Sequence, residues 1–193
     1  VLFRSKRKKR VGRSKQTVYD TTLKPSFVNA NELKQGDVLV YPISDWDNGF
    51  SLSNGKAKLL GLFLAEGNYL KHKGSLREIE FTFALDEKHS LVQETVDLLK
   101  SEFNIDARVY ERLPKNIIVV RATSQDVAEW FYKHCGEYSG EKKLSDELCF
   151  ASKNTITNIL QGWISGDGGV KNLPNVYHTS VSSWTKSEIL VEQ

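Results

Sequence analysis

Two nine-residue segments of this sequence match each other without a gap: LLGLFLAEG at residues 59–67 and LQGWISGDG at residues 160–168. Each has a glycine at its third position, a small residue at its seventh, an acid at its eighth and a final glycine. Small residues four apart share one face of an α-helix, and such a face lets two helix backbones approach closely. The repeat therefore predicts two helices packed against each other. The predicted interface residues are Gly61, Ala65, Gly162 and Gly166.

The acids of the two segments, Glu66 and Asp167, are then predicted to emerge side by side at the C-terminal ends of these helices. Each carboxylate would oppose the negative end of a helix dipole at a cost of about 0.3–1 kcal/mol, and the two would repel each other. A divalent cation between them would offset both effects. One such segment alone is typical of an ordinary core helix, but its recurrence favours a metal site. We also expect Gly67 and Gly168 to adopt the left-handed conformation that often ends a helix.

The hydrophobic pattern predicts the element order αββαββα from residue 56, followed by a new α, β and α. The clearest strand is EIEFTFAL, residues 78–85, in which apolar and polar residues alternate strictly. The recurrence of the first elements indicates an internal duplication with a shorter second copy. The predicted helices are 56–65, 88–103, 125–135, 155–166 and one beginning at Ser183, and the other strands are 107–112, 116–122 and 177–181.

The two nonapeptides resemble the LAGLIDADG motif of homing endonucleases, and both have an acid where that motif has one. The αββαββα order is similar to the repeat of the same family, so the resemblance covers about residues 53–193. It implies an α+β fold with pseudo-two-fold duplication, in which each half supplies a four-stranded sheet and the two sheets form a saddle over double-stranded DNA. It also implies Mg²⁺-dependent phosphodiester hydrolysis and a staggered break, with Mg²⁺ held by Glu66, Asp167, Ala65 and Gly166.

Further site residues follow from the resemblance. The family places a lysine near the metal ions just before its second motif helix, and Lys142 or Lys143 in GEKKLSDEL matches it. Such a lysine would stabilise negative charge on the scissile phosphate, and the alternative is a solvated charged loop. Side chains after the first motif and on two strands are expected to reach phosphates and base edges. These expected DNA contacts are Lys71, Lys73, Arg77, Arg108, Tyr110, Arg112 and Arg121.

The polar face of the alternating strand carries Glu78 and Glu80. These two acids either accept hydrogen bonds from cytosine amino groups or are simply solvated. The sequence pattern leaves both interpretations open.

The N-terminal segment FVNANELKQGDVLVYPI, residues 27–43, is similar to the strand–turn–strand segment of intein splicing domains, and a plain surface hairpin is the alternative. It includes a short strand predicted at residues 38–41. The resemblance implies an endonuclease embedded in an intein, which is spliced out of a host extein. The splicing nucleophile, internal histidine and C-terminal His-Asn of an intein are not recoverable here. The matching pattern residues are Ala30, Glu32, Leu33, Gly36 and Asp37.

We therefore predict three regions. Residues 1–50 correspond to a partial Hint-type splicing segment and linker, residues 51–154 to a first LAGLIDADG repeat, and residues 155–193 to the start of a truncated second repeat. The chain has no methionine, so we expect it to be a piece of a longer protein.

The composition excludes several other classes of protein. No apolar run is long enough to span a membrane, and no signal peptide is recognisable. The two cysteines, Cys135 and Cys149, form no CxxC pair, which excludes a zinc finger and a disulfide scaffold. The net charge is +3, but eight basic residues lie within residues 1–15, so the rest of the chain is acidic. Nucleic acid must therefore bind through local basic stripes, and the basic run is otherwise a solvated tail.

Taken together with these patterns, the resemblance implies a monomeric, intracellular and cytoplasmic DNA endonuclease with internal pseudo-symmetry, acting on nucleoid DNA. The alternative is a non-catalytic nucleic-acid binder of the same fold, such as an RNA maturase or a degenerate intein insertion. A binder has no need of paired acids at helix ends, so both acids favour the enzyme. With only the start of a second sheet, this chain alone is expected to bind DNA weakly, with a steep salt dependence, and to cut little.

Overall fold

The computed structural model describes residues 2–3, 27–32, 34, 47–85, 88–137, 139–172, 179–183 and 185–193. The chain divides into two compact units, Val1–Asp45 and Trp46–Gln193. In the first unit, β1 (Leu2–Phe3) pairs antiparallel with β2 (Phe27–Val28), and a 3-10 turn follows at Ala30–Glu32. The strand predicted at 38–41, the basic run at 4–15 and most of the intein-like pattern lie outside the described residues.

The second unit combines helices with antiparallel strands, which confirms the predicted α+β class. Its order begins αββαββα. The elements are α1 (Asn54–Glu66), β3 (Gly67–His72), β4 (Ser75–Ala84), α2 (Gln93–Phe103), β5 (Arg108–Arg112), β6 (Ile117–Thr123), α3 (Gln125–Cys135), α4 (Asp146–Cys149), α5 (Lys153–Asp167), β7 (Gly168–Asn172), β8 (Thr179–Ser183) and α6 (Glu188–Glu192). The helix predicted from Ser183 is wrong, because Ser183 ends β8 and the hydroxyl of Ser187 caps α6.

Four strands of this unit form an antiparallel sheet in the order β3-β4-β6-β5, and β7 pairs with β8 in a separate two-stranded sheet. The alternation in β4 buries Ile79, Phe81 and Phe83 on the face that packs against α1 and α3. The rings of Phe63, Phe81 and Phe131 meet there with centroids 4.7–6.1 Å apart. The opposite face of the sheet presents its polar side chains away from the core. Among the described residues, no helix is long and apolar enough to cross a bilayer.

The two motif helices, α1 and α5, lie against each other along their lengths. Both begin with a serine cap, because the hydroxyls of Ser53 and Ser152 accept from backbone amides in the first helical turn. Near these N-terminal ends, Asn154 Nδ2 donates to Asn54 Oδ1 over 2.7 Å. Matching caps and a side-chain bridge therefore start the two helices at the same level.

The closest approach of the two helices is at Gly61 and Gly162. A Cβ on Gly61 would lie 2.0 Å from the carbonyl oxygen of Ile159, and a Cβ on Gly162 would lie 2.2 Å from that of Lys58. Both obstacles are backbone atoms, which cannot move aside as a flexible side chain can. Only glycine fits at either position.

Gly61→Ala is therefore expected to destabilise the protein by about 2 kcal/mol or more, even though alanine gains about 1 kcal/mol in helix propensity. Tm should fall by roughly 4–8 °C in a calorimetric scan. Gly140→Ala is the matched control, because nothing lies within 4 Å of its Cβ position, and its effect should stay within about 0.5 kcal/mol. An equal Tm for the two variants would contradict the close packing of α1 on α5.

The final glycines of the two motifs differ from their prediction. Gly67 has φ −80° and ψ 145°, and Gly168 has φ −109° and ψ 172°, so both are extended rather than left-handed. The chain passes directly from each helix into a strand. A Cβ would lie 2.3 Å from the Phe63 ring at Gly67 and 2.5 Å from the Ile164 carbonyl oxygen at Gly168. Glycine is required at these positions by lack of space, not by backbone conformation.

Candidate active site

Glu66 and Asp167 are the last residues of α1 and α5, and they lie at the same end of the helix pair. A Cβ on Gly166 would lie 2.5 Å from Ala65 Cβ and 3.5 Å from Glu66 Oε1. The carboxylate of Glu66 therefore reaches across to the last turn of α5, next to Asp167. Both acids are half-buried. The structure brings together Glu66, Asp167, Ala65 and Gly166, the four residues predicted as metal ligands.

Lys142 is buried at the end of α1, with only 7% of its surface exposed. Its Nζ donates to the carbonyl oxygens of Leu64 at 2.7 Å, Phe63 at 3.0 Å and Ala65 at 3.4 Å. These carbonyls belong to the last turn of the helix, where the dipole attracts a cation. Burial lowers the pKa of Lys142, and the nearby Asp167 and Glu66 act in the opposite direction. Lys142 thus contacts the last turn of the first motif helix and also interacts electrostatically with Glu66 and Asp167.

Lys143, the other predicted candidate, is exposed to solvent. Its backbone amide donates to the carbonyl oxygen of Cys135 at the end of α3. The connection before it turns sharply at Gly136, where φ is +72° and an added Cβ would lie 2.5 Å from the Glu141 carbonyl oxygen. Of the two neighbouring lysines, the structure therefore directs only Lys142 toward the ends of the motif helices.

Burial raises the pKa of the Asp167 carboxyl, and Lys142 offsets part of that rise. An acid with a raised pKa in the folded state binds a proton more readily there than in the unfolded chain. Its ionisation therefore removes stability as the pH rises above its ordinary value of 3.8. At neutral pH without metal, this end of the helix pair favours the arrival of positive charge.

Asp167→Asn is accordingly expected to raise Tm slightly at pH 7 without metal. The free energy of unfolding should increase by less than about 1 kcal/mol. The gain should disappear at about pH 3, where the wild-type carboxyl is protonated in both states. Added Mg²⁺ should stabilise the wild type but not the variant, because only the wild type keeps both carboxylates. Differential scanning fluorimetry across pH, with and without Mg²⁺, measures all three effects. A variant with lower stability than the wild type at neutral pH would contradict this electrostatic account.

The donor set at this end fits a hard divalent cation. It consists of two carboxylates and the carbonyl oxygens of a helix terminus, and Mg²⁺ prefers oxygen ligands and commonly takes one or two carboxylates plus substrate phosphates. No cluster of three or more His, Cys, Asp or Glu side chains suited to a metal occurs in the part of the chain that the structure describes. A cation at Glu66 and Asp167 would therefore complete its coordination with water, backbone oxygens and phosphate.

The side chains expected to contact DNA from β5 and β6 lie on the outer face of the four-stranded sheet. Arg121 pairs in register with Arg108 on one side and with Glu80 on the other. Glu80 is the centre of this group, although its side chain is only 8% exposed. Arg121 Nε donates to Glu80 Oε1 over 2.8 Å, and the hydroxyl of Tyr110 donates to the same oxygen. Arg112 Nη2 lies 3.7 Å from it.

These contacts fix the geometry of the basic stripe on the outer sheet face, which consists of Arg108, Tyr110, Arg112 and Arg121, and the acids reduce its net charge. Glu80 raises the pKa of Arg121, so the guanidinium stays charged but paired. Burial and the bond to Glu80 raise the pKa of the Tyr110 hydroxyl, which stays neutral. A second acid, Glu78, accepts from Thr123 and lies 3.6 Å from Arg121 Nη1. The sequence placed Glu78 and Glu80 on this face but could not show that they hold the arginine.

The remaining expected DNA contacts lie near the β3–β4 hairpin. Lys71 forms an ion pair with Glu137, just after α3. Arg77 lies at an irregularity in the β3–β4 register and donates to Gln125 at the start of α3. Lys73 forms the hairpin turn, with φ at +50°. The structure therefore divides the seven predicted contacts between the outer sheet face and the hairpin edge.

Comparisons with known proteins found no protein-family model that matches the sequence. An uncharacterised protein of Methanocaldococcus jannaschii is 27% identical over 200 residues, which cover 88% of this chain and 23% of that protein. The chain thus spans less than a quarter of that relative's length.

Several similar solved structures are of homing endonucleases. A crystal structure of I-DmoI with DNA and Mn matches with a TM-score of 0.42 at 15% identity, over 60% of this chain and 63% of that one. Mesophilic variants of I-DmoI match with a TM-score of 0.44 at 14% identity, over 60% and 59% of the two chains. I-WcaI bound to its DNA recognition sequence matches with 0.38 at 16%, over 62% and 54%.

Proposed function

We propose that this chain is part of a LAGLIDADG-type homing endonuclease that hydrolyses double-stranded DNA with Mg²⁺. One observation carries the proposal: two acids end two helices that pack through glycines, and the first acid reaches the last turn of the second helix. Two carboxylates at adjacent helix ends are unfavourable for stability. A divalent cation bound between the two carboxylates would offset this unfavourable electrostatic energy.

Each residue of the proposed site would have its own role in the reaction. Glu66 and Asp167 would hold Mg²⁺, which when bound activates water and polarises a phosphate oxygen. Lys142 keeps the last turn of α1 in place through its three carbonyl contacts. Its positive charge at this end also favours the negative charge that develops on a phosphate under attack. Packing at Gly61 and Gly162 sets the separation of the two acids.

The outer face of the sheet is the surface that we propose for DNA. Exposed Arg108 and the hairpin residue Lys73 would reach phosphates, whose neutralisation gives a salt-dependent affinity. Contacts with Glu80 and Tyr110 hold the guanidinium groups of Arg121 and Arg112 in place, and the remaining N–H donors of these two arginines suit base edges in the major groove. Since acids neutralise part of this stripe, we expect a weak overall affinity for DNA. Recognition should then depend more on the positions of hydrogen-bond donors than on net charge.

The cellular setting is also proposed. An endonuclease of this type embedded in an intein would be made within a host protein and excised by splicing from its exteins. It would act as a monomer with internal pseudo-symmetry on intracellular DNA. The intein-like pattern at residues 27–43 supports the intein setting.

The test uses the purified 193-residue chain and a supercoiled plasmid library with a randomised insert. Slow nicking that requires Mg²⁺, stops with EDTA and clusters at one sequence motif is the expected result. Nicks that are unrelated to sequence and equally frequent without Mg²⁺ would overturn the proposal. Selective retention of one motif with no cutting at any Mg²⁺ concentration would instead favour the non-catalytic nucleic-acid binder.

A further inference from the structure

The segment that carries Lys142 is held from two sides by alternating backbone groups. On one side, the amides of Lys143 and Ser145 donate to the carbonyl oxygens of Cys135 and His134 at the end of α3. On the other side, the carbonyl of Lys142 and both backbone groups of Leu144 face the C-terminal residues of the chain. An extended segment with this alternation has a single register, because a one-residue slip would exchange its two sides.

Two side chains near the C-terminus make the second set of contacts. The hydroxyl of Ser187, which is 1% exposed, donates to the carbonyl oxygen of Lys142 and accepts from the amide of Leu190. The side-chain amide of Gln193 accepts from Leu144 N at 2.8 Å and donates to Leu144 O at 3.0 Å. Leu190, between them on α6, is 5% exposed and belongs to the core. The helix α6 is therefore anchored where it meets the lysine segment.

We propose that Ser187 and Gln193 are positioning residues for Lys142. With these two residues at its ends, α6 acts as a clasp, meaning that it holds the backbone of the Lys142 segment in place. The chain leaves Asp167 through β7 and β8 and returns in α6 to the Lys142 segment. Lys142 in turn holds the carbonyls that precede Glu66. The element that follows the second motif helix and its strands in the chain therefore holds the lysine that contacts the end of the first motif helix. The consequence for DNA cleavage rests on the proposed function, whereas the clasp itself does not.

The physical need for a clasp comes from the burial of Lys142. A buried ammonium is tolerated only while its hydrogen-bond acceptors stay in place. If the segment moves outward, the lysine regains water and the last turn of α1 loses its cation. Two side chains that hold the backbone on either side of Lys143 oppose this movement directly.

The experiment is competitive acylation of lysines with acetic anhydride in the 193-residue chain, read by mass spectrometry without metal or DNA. In the wild type, Lys142 should be protected and Lys143 reactive. Ser187→Ala and Gln193→Ala should each raise the labelling rate of Lys142 by about tenfold, the scale expected when the hydrogen bonds that each side chain makes to this segment are lost. Labelling at Lys143 should stay constant. Glu188→Gln, an exposed change on the same helix, is the control and should leave Lys142 protected.

Three outcomes would overturn the clasp: unchanged labelling of Lys142 in both variants, equal increases at all lysines, or the same increase in Glu188→Gln. If Ser187→Ala fails to fold, Gln193→Ala decides alone, because Gln193 is exposed and its truncation leaves the core intact. The consequence for the site is tested by Mn²⁺ titration and plasmid nicking. Loosened Lys142 with unchanged Mn²⁺ affinity and nicking would refute the positioning role, and absence of nicking in the wild type would refute the proposed function alone.

Discussion

Glu66→Gln and Asp167→Asn should each reduce Mg²⁺-dependent DNA nicking by roughly 10³-fold or more, the scale on which a single electrostatic group acts in catalysis. Each replacement keeps the shape of the side chain and removes the charge that would hold the cation. DNA affinity should change little, because both acids lie at the helix ends and not on the outer face of the sheet. Initial nicking rates and gel-shift titrations on the same DNA measure the two quantities separately.

Asp106→Asn is the matched control for this pair. Asp106 lies between α2 and β5, is 87% exposed and pairs only with a surface lysine in the described residues. The control should nick at the wild-type rate, since surface ion pairs contribute little. Full nicking activity in both Glu66→Gln and Asp167→Asn would eliminate the acidic pair as the site of reaction.

Lys142→Met should destabilise the protein by about 1–3 kcal/mol and abolish nicking, whereas Lys143→Met should do neither. Two effects oppose each other here. Removing a buried cation relieves a desolvation penalty, but it leaves the carbonyls of Leu64 and Ala65 without their donor and two nearby acids without a positive neighbour. We expect the second effect to win, because unpaired buried acceptors cost more than a satisfied buried charge. Chemical denaturation gives the stability and plasmid nicking gives the activity.

The neighbouring lysines make this comparison sharp. Both substitutions remove one positive charge from the same loop, so their difference reports position and not net charge. In a double-mutant cycle, Lys142→Met and Glu66→Gln should be strongly non-additive for nicking if both act on one site. Additive effects, or equal losses in Lys142→Met and Lys143→Met, would mean that the buried contacts of Lys142 have no part in the reaction.

Much of the fold follows from periodicity along the chain. The strict alternation of residues 78–85 predicted a half-buried strand, and β4 is the strand that carries Phe81 and Phe83 into the core. Between the strands predicted at 107–112 and 116–122, residues Leu113–Lys115 form a 3-10 turn, which is followed by left-handed Asn116. Helix boundaries near Ser183 were not predictable in the same way, because a serine can start a helix or end a strand with equal local support. The serine that caps α6 is Ser187.

The spacing of small residues predicted which two helices pack against each other. The positions of the acids predicted that the C-terminal ends of these helices carry negative charge. That information is local, since a 3.6-residue period selects a face of each helix and a repeated motif selects the pair. The close approach at Gly61 and Gly162 is the physical form of that pattern. It needs no knowledge of the rest of the chain.

Only the tertiary structure showed that Lys142 is buried against the end of α1 while the neighbouring Lys143 is exposed, and only it showed that Glu80 holds Arg121. Lys142 is 78 positions from Leu64, and Glu80 is 41 positions from Arg121. Whether a charge is solvated, paired or buried depends on groups that the fold brings to it from such distances, and periodicity along the chain contains no information about them. The sequence by itself therefore determined the helix pair and its acids, and the fold determined the partners that set their chemistry.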